Sequence, residues 1–195
     1  NWQLKRGGPL PAVAGRFDTM TLIATAAGLV AWSFAPFHPA TGAALLLAGV
    51  LNLIRLARWH GEATLAEPLV LILHLGYLWL AAGFVLLGLS VVAPAHILPS
   101  VGVHALTAGA VGVMTLAIMT RSSRGHTGRS LTAGKAEILI YGLVNLAALT
   151  RVVGGLLPFA YNSLLIVSVG LWSAAFLAFV ISYAPILLTP RLGRG

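Results

Sequence analysis

The sequence predicts an all-α, polytopic transmembrane bundle of about six spans. Three observations carry this. The 195 residues are 58% hydrophobic and only 8% charged, with a mean hydropathy of +0.94. A soluble chain is nearer about 45–50% apolar and about 25% charged. Four acids and twelve bases cannot clothe a soluble surface of this size. Finally, the apolar residues fall into six runs, at 19–36, 40–57, 69–92, 100–120, 138–157 and 163–187, each near the roughly 20 residues that cross a bilayer.

Each run has its own punctuation. The segment before the first span is polar, contains Gly and Pro, and carries Lys5, Arg6 and Arg16. It lacks the short apolar core and small-residue cleavage site of a signal peptide. The chain opens on Asn1 rather than Met, which is expected of a piece of a longer precursor or a trimmed chain. Pro36 and Pro39 separate spans one and two, and Glu67-Pro68 opens span three. Pro94 and Pro99 precede span four, Pro158 precedes span six, and Pro190 closes it. The connections are short, so consecutive spans should pack antiparallel.

The basic residues give an orientation. Lys5, Arg6, Arg16, Arg55, Arg58, Arg121, Arg124, Arg129, Lys135, Arg191 and Arg194 all fall at one end, which makes eleven of the twelve. The loops around His38, His96 and Phe159 hold none. Both termini are therefore expected on the cytoplasmic side. The same clustering explains the net charge of +8 without nucleic acid; the lipid bilayer is the expected partner. Asp18, Glu62, Glu67 and Glu137 lie at that end too, so no carboxylate is expected within a span. That counts against a proton-coupled transporter built from this chain. The absence of cysteine excludes disulfides, Fe–S clusters and thiolate-ligated metal in this chain.

A weak internal repeat appears at an offset of about 93 residues, within the pattern known for inverted 3+3 repeats. Asn52-Leu53 with Leu56 and Arg58 matches Asn145-Leu146 with Leu149 and Arg151. Leu78-Trp79 with Ala81-Ala82 matches Leu171-Trp172 with Ala174-Ala175.

Polar residues inside spans are the candidates for function. His74 shares a helical face with Tyr77, Ala81, Val85 and Gly88, and His104 shares one with Thr107, Ala108, Val111 and Thr115. Small residues on such faces admit a helix or a flat ligand; tight packing around a hydrogen-bonded histidine is the competing explanation. At 1.5 Å per residue, His74 lies about 7 Å from the cytoplasmic face and His104 about 24 Å from it. Two axial ligands of one haem iron sit only about 4 Å apart, at Fe–N distances near 2 Å. The two histidines therefore belong to separate sites. His74 could pair with His126 or His60, and His104 with His96 or His38. Arg151 is expected either to snorkel toward headgroups or to clamp an anion such as a haem propionate. In Arg124-Gly-His-Thr-Gly-Arg129, His126 lies between glycines and guanidiniums, as in an anion-cradling loop. Asn52 with Arg55, and Tyr141 with Asn145, are explained by interhelical hydrogen bonding. Met20, Met114 and Met119 are soft donors that more often only pack.

The run His104-Ala-Leu-Thr-x-Gly-Ala-x-Gly-x-Met-Thr-Leu-Ala-x-Met-Thr-Arg121, followed by Gly125-His-Thr-Gly-Arg129, closely resembles the signature of the NnrS family. Residues 51–79 and the closing Tyr183-Ala-Pro-Ile-Leu with Pro190-Arg191 are similar to the same family. The resemblance implies a bacterial inner-membrane protein of about twelve helices, associated with haem and copper and with resistance to nitric oxide. This chain is similar to the C-terminal half, so the N-terminal half of the parent is an expected partner. The resemblance implies His74, His104 and His126 as candidate metal ligands, and Arg151, Tyr77 and Arg129 remain candidate cofactor contacts. No catalytic residue is assigned. The competing classes are a transporter or channel for a small solute or metal, and a structural membrane subunit.

Overall fold

The computed structural model describes residues 7–191, and there every regular element is helical. Lys5, Arg6 and Arg194, three of the residues used for orientation, lie outside that range, as does Asn1-Trp2. Six helices are long and apolar enough to cross a membrane. They are α1 (Arg16–Phe34), α2 (Pro39–Ala57), α3 (Pro68–Val92), α4 (Pro99–His126), α5 (Lys135–Leu156) and α6 (Tyr161–Leu188). Short 3₁₀ turns at Gly61–Thr64 and Pro158–Ala160 precede α3 and α6.

The helix starts follow from local chemistry. Pro39, Pro68 and Pro99 each open a helix, where a missing N–H costs nothing and the fixed φ suits the first turn. The ring of His38 caps α2 by accepting from the Ala40 N–H at 3.2 Å. Glu67 caps α3 by accepting from the Leu69 N–H at 3.3 Å. In α1 and α5 the third residue is acidic and reaches back to the preceding glycine: Asp18 accepts from the Gly15 N–H at 3.0 Å and Glu137 from the Gly134 N–H at 2.7 Å.

That detail corrects the expectation that no carboxylate lies in a span. The helices start a few residues before the apolar runs, so Asp18 and Glu137 fall inside their first turns and are buried. Burial is tolerable because each meets an arginine. Arg55 Nε lies 2.9 Å from Asp18 Oδ1, and Arg124 donates to Glu137 at 2.7 Å. A second correction concerns α4, which was expected to end near residue 120. It continues to His126, because Arg124 is held by Glu137 and by the Ser130 carbonyl at 2.9 Å.

α3 is the central helix. One face packs on α2 through Leu45, Ala48, Phe84 and Leu87. Its other face joins α4, α5 and α6 around Ile72, Leu116, Ile140, Val144 and Tyr183. The outer surface is apolar, with Ile23, Leu47, Ile166 and Ile181 all exposed. A surface of that kind suits lipid and would be an aggregation hazard in water.

Candidate functional site

The polar side chains singled out above fall into three places. The first joins α4, α5 and the start of α6. His104 ends the first α-helical stretch of α4, and Arg151 lies well inside α5. The Arg151 guanidinium donates to His104 Nε2 at 2.9 Å and to the Tyr161 hydroxyl at 3.3 Å. The Tyr161 ring lies 5.7 Å from the guanidinium carbon. Arginine has only donors and stays charged, so Nε2 must be the acceptor. His104 is therefore the neutral tautomer with its proton on Nδ1. Beside this pair is a cavity of about 350 Å³, lined by His104, Thr107, Arg151, Ser168, Trp172 and Ser173. The unpaired arginine of the sequence thus has an imidazole, not a carboxylate, as its partner.

The backbone around this cavity departs from a plain α-helix. Residues Ala105–Val111, immediately after His104, form a π-helical stretch. Such widened turns recur at functional sites because they re-aim side chains. The stretch is also closely packed by neighbouring helices. A side chain at Gly109 would meet the Trp79 ring at 2.6 Å, and one at Gly112 would collide with the Trp172 ring. The two indoles, from α3 and α6, press against α4 on either side of its widened turn. Trp79 is fixed in turn by donating Nε1–H to Asn145 at 3.0 Å. The small residues after His104 therefore admit flat rings of neighbouring helices.

The second place is around His74, in the second turn of α3. Its Nδ1 lies 3.1 Å from the Val70 carbonyl. A carbonyl only accepts, so Nδ1 carries a proton, and the lone pair of the neutral form lies at Nε2. Trp59 packs edge-on to the ring, with centroids 6.3 Å apart. Gly61 lies so close that a Cβ there would sit 2.8 Å from the imidazole. Tyr77, expected on the same face, packs on Trp59 at 4.6 Å. Its hydroxyl donates to Asn52 at 2.5 Å and accepts from Arg55 at 3.0 Å. Asn52 donates onward to Thr25 at 2.8 Å. The sequence reading missed that this polar chain runs from Asp18 through Arg55, Tyr77 and Asn52 to Thr25, pinning α1 and α2 beneath the His74 turn. Nearby, the Glu62 carboxyl is held below its ordinary range, first by its own backbone N–H and then by His60.

The third place is the end of α4. His126 is exposed and lines a cavity of about 550 Å³ with Arg121, Ser122, Leu73, Ile118 and Arg191. Arg129 does not join it through its hydrogen bonds. It reaches the last turn of α6, donating to the Ile186 carbonyl at 3.4 Å and to Thr189 at 3.0 Å. A guanidinium at a helix C-terminus meets unsatisfied carbonyls there. Beside it, Glu137 accepts from Arg124 and, at 2.6 Å, from the Tyr183 hydroxyl. This second buried network was also missed.

The structure thus distributes His74, His104 and His126 over three surroundings. Among the described residues there is no cluster of three His, Cys, Asp or Glu side chains suited to a metal. Six apolar helices with polar groups gathered between them define a polytopic α-helical membrane protein. The chain belongs to the NnrS family: the family model described as NnrS protein matches residues 3–191. No curated protein and no solved structure matches it.

Proposed function

We propose that this chain is a haem- and copper-associated protein of the bacterial cytoplasmic membrane that lessens damage by nitric oxide, with both termini facing the cytoplasm. Family membership supports the class. The observation that carries the metal reading is the state of the two span histidines. Metal-bound histidine usually ties its other ring N–H to a carbonyl or carboxylate, which fixes the tautomer. His74 has that arrangement with Val70, and His104 is held in the same tautomer by Arg151.

The donor set suits haem better than copper. A haem brings its own ring nitrogens and so asks for fewer protein donors than copper does; His74 would supply one of them, from the nitrogen not bonded to Val70. His104 can donate once Arg151 turns aside, a movement for which Tyr161 offers a second partner. Copper would need more donors than either place offers, because no group of three His, Cys, Asp or Glu side chains is present among the described residues. When bound, a haem or copper with an open position supplies the atom that takes up NO. The chain's own residues orient His74 through Val70 and Trp59, and Arg151 supplies positive charge for an acidic group. Because α3 and α4 run in opposite directions, His74 and His104 lie near opposite ends of the bundle, which favours two centres.

Absorbance and elemental analysis of the intact parent protein test this. A Soret band that shifts on adding NO, together with bound copper, is the expected result. A preparation with neither chromophore nor metal would sink the reading. A transporter reading gains little, because the buried Asp18 and Glu137 are both neutralised by arginine; solute flux into proteoliposomes without a chromophore would revive it.

A further inference from the structure

The cavity at the end of α4 is used by neither metal reading, and its walls are of two kinds. Leu73, Ile118 and Leu131 are apolar, and Ile118 and Leu131 are 58% and 45% exposed. Arg121, His126 and Arg191 are basic and exposed, with Ser122 between them. Among the described residues neither Arg121 nor Arg191 has an acidic partner. The nearby carboxylate, Glu137, is already taken by Arg124 and Tyr183. Two guanidiniums beside His126 repel a metal cation and attract an anion. Guanidinium matches a phosphate's paired oxygens with paired N–H donors.

We propose that this cavity binds the phosphodiester headgroup of an anionic phospholipid, with the phosphate on Arg121, Arg191 and His126 and an acyl chain along Leu73 and Ile118. The site lies where α4 passes from its apolar length to its basic end, the depth at which headgroups meet a helix. Basic pockets between membrane helices hold acidic headgroups in this way. A free phosphate would satisfy the arginines and leave the apolar wall uncovered, so lipid is the better source. His126 on this view is an anion contact and not the metal ligand that the family resemblance implied.

The test uses the full-length protein, delipidated in detergent. Phosphatidylglycerol, phosphatidylcholine and inorganic phosphate are compared by native mass spectrometry and by thermal melting. Phosphatidylglycerol should be retained and should raise the melting temperature, while the other two should not. The variant Arg121→Gln/Arg191→Gln should weaken phosphatidylglycerol binding at least about tenfold, and Lys135→Gln, outside the cavity, should leave it unchanged. If the double variant fails to fold, Arg191→Gln alone carries the test and should weaken binding several-fold. Equal binding of phosphatidylcholine, equal stabilisation by inorganic phosphate, or undiminished phosphatidylglycerol binding by the arginine variants would each overturn the proposal.

Discussion

Arg151 donates to His104 Nε2 at 2.9 Å, joining α5 to α4 across 47 residues of sequence without a carboxylate. The pair is asymmetric. Arginine cannot shed its proton, whereas a neutral imidazole can lose its partner and still be tolerated in an apolar setting. His104→Ala should therefore cost more than Arg151→Met. The first leaves a charged guanidinium with Tyr161 as its remaining partner; the second removes the charge and keeps apolar bulk. Hydrogen bonds to charged groups contribute about 1.5–3 kcal/mol, so His104→Ala should destabilise the metal-free protein by about that much and Arg151→Met by less. Melting curves in detergent check the order; the reverse order would show that Arg151 is held elsewhere.

The widened turn of α4 gives a packing prediction. Gly112→Ala drives a methyl into the Trp172 ring and Gly109→Ala drives one into Trp79. Neither indole is a flexible chain end, and overpacking of this kind costs about 1–3 kcal/mol. Gly142, in α5, has nothing within 4 Å of an added Cβ. There Gly142→Ala should be neutral or should stabilise by about 0.5–1 kcal/mol, the usual helix-interior gain. Melting temperature and tryptophan emission of the three variants would separate these outcomes; equal behaviour would refute the packing account.

The six spans were legible because each is a long apolar run, and three of them open on a proline, where local chemistry is decisive. What failed were features made by contacts between helices. The last turns of α4 are held through Arg124 by Glu137 and Ser130, and the widened turn lies against Trp79 and Trp172. The sequence match between Asn52 and Asn145 has a physical counterpart. Each asparagine donates to the carbonyl four residues back, and each accepts from an aromatic side chain of α3, Tyr77 or Trp79. Arg58 and Arg151, matched at the same offset, diverge: Arg58 lies 3.8 Å from Asp18 and over the Phe17 ring, while Arg151 meets His104. Spacing marked positions of matching sequence but not their partners, which come from other helices.

Glu137 is 3% exposed and accepts from Arg124, Tyr183 and the Gly134 N–H. Glu137→Gln preserves shape and removes the charge, leaving Arg124 without its counter-ion. Losing one partner of a buried pair costs about 3–5 kcal/mol. Arg124 also holds the Ser130 carbonyl, so the 127–134 connection should loosen. The expected results are a lowered melting temperature and faster tryptic cleavage at Arg129. Glu62→Gln, at an exposed carboxylate, should alter neither, and cleavage at the wild-type rate in Glu137→Gln would show that the network does not secure this segment.

The two-centre reading makes its own demand on His74. The residue is small enough to be replaced by a diffusible ligand, and its ring is positioned by Val70 and Trp59 rather than by a covalent neighbour alone. In the intact parent protein, His74→Gly should lose the haem signal, and added imidazole should restore part of it by occupying the vacated space as a neutral donor. His104→Ala should spare that signal, because His104 lies toward the other end of the bundle and is tied to Arg151. Tyr77→Phe should also spare it while lowering stability, since its hydroxyl is engaged with Asn52 and Arg55. Absorbance spectra of the three variants, with and without imidazole, decide the matter. If His74→Gly and His104→Ala each abolished every cofactor signal, the histidines would have to serve one shared centre, and the separation that places them at opposite ends of antiparallel helices would be refuted.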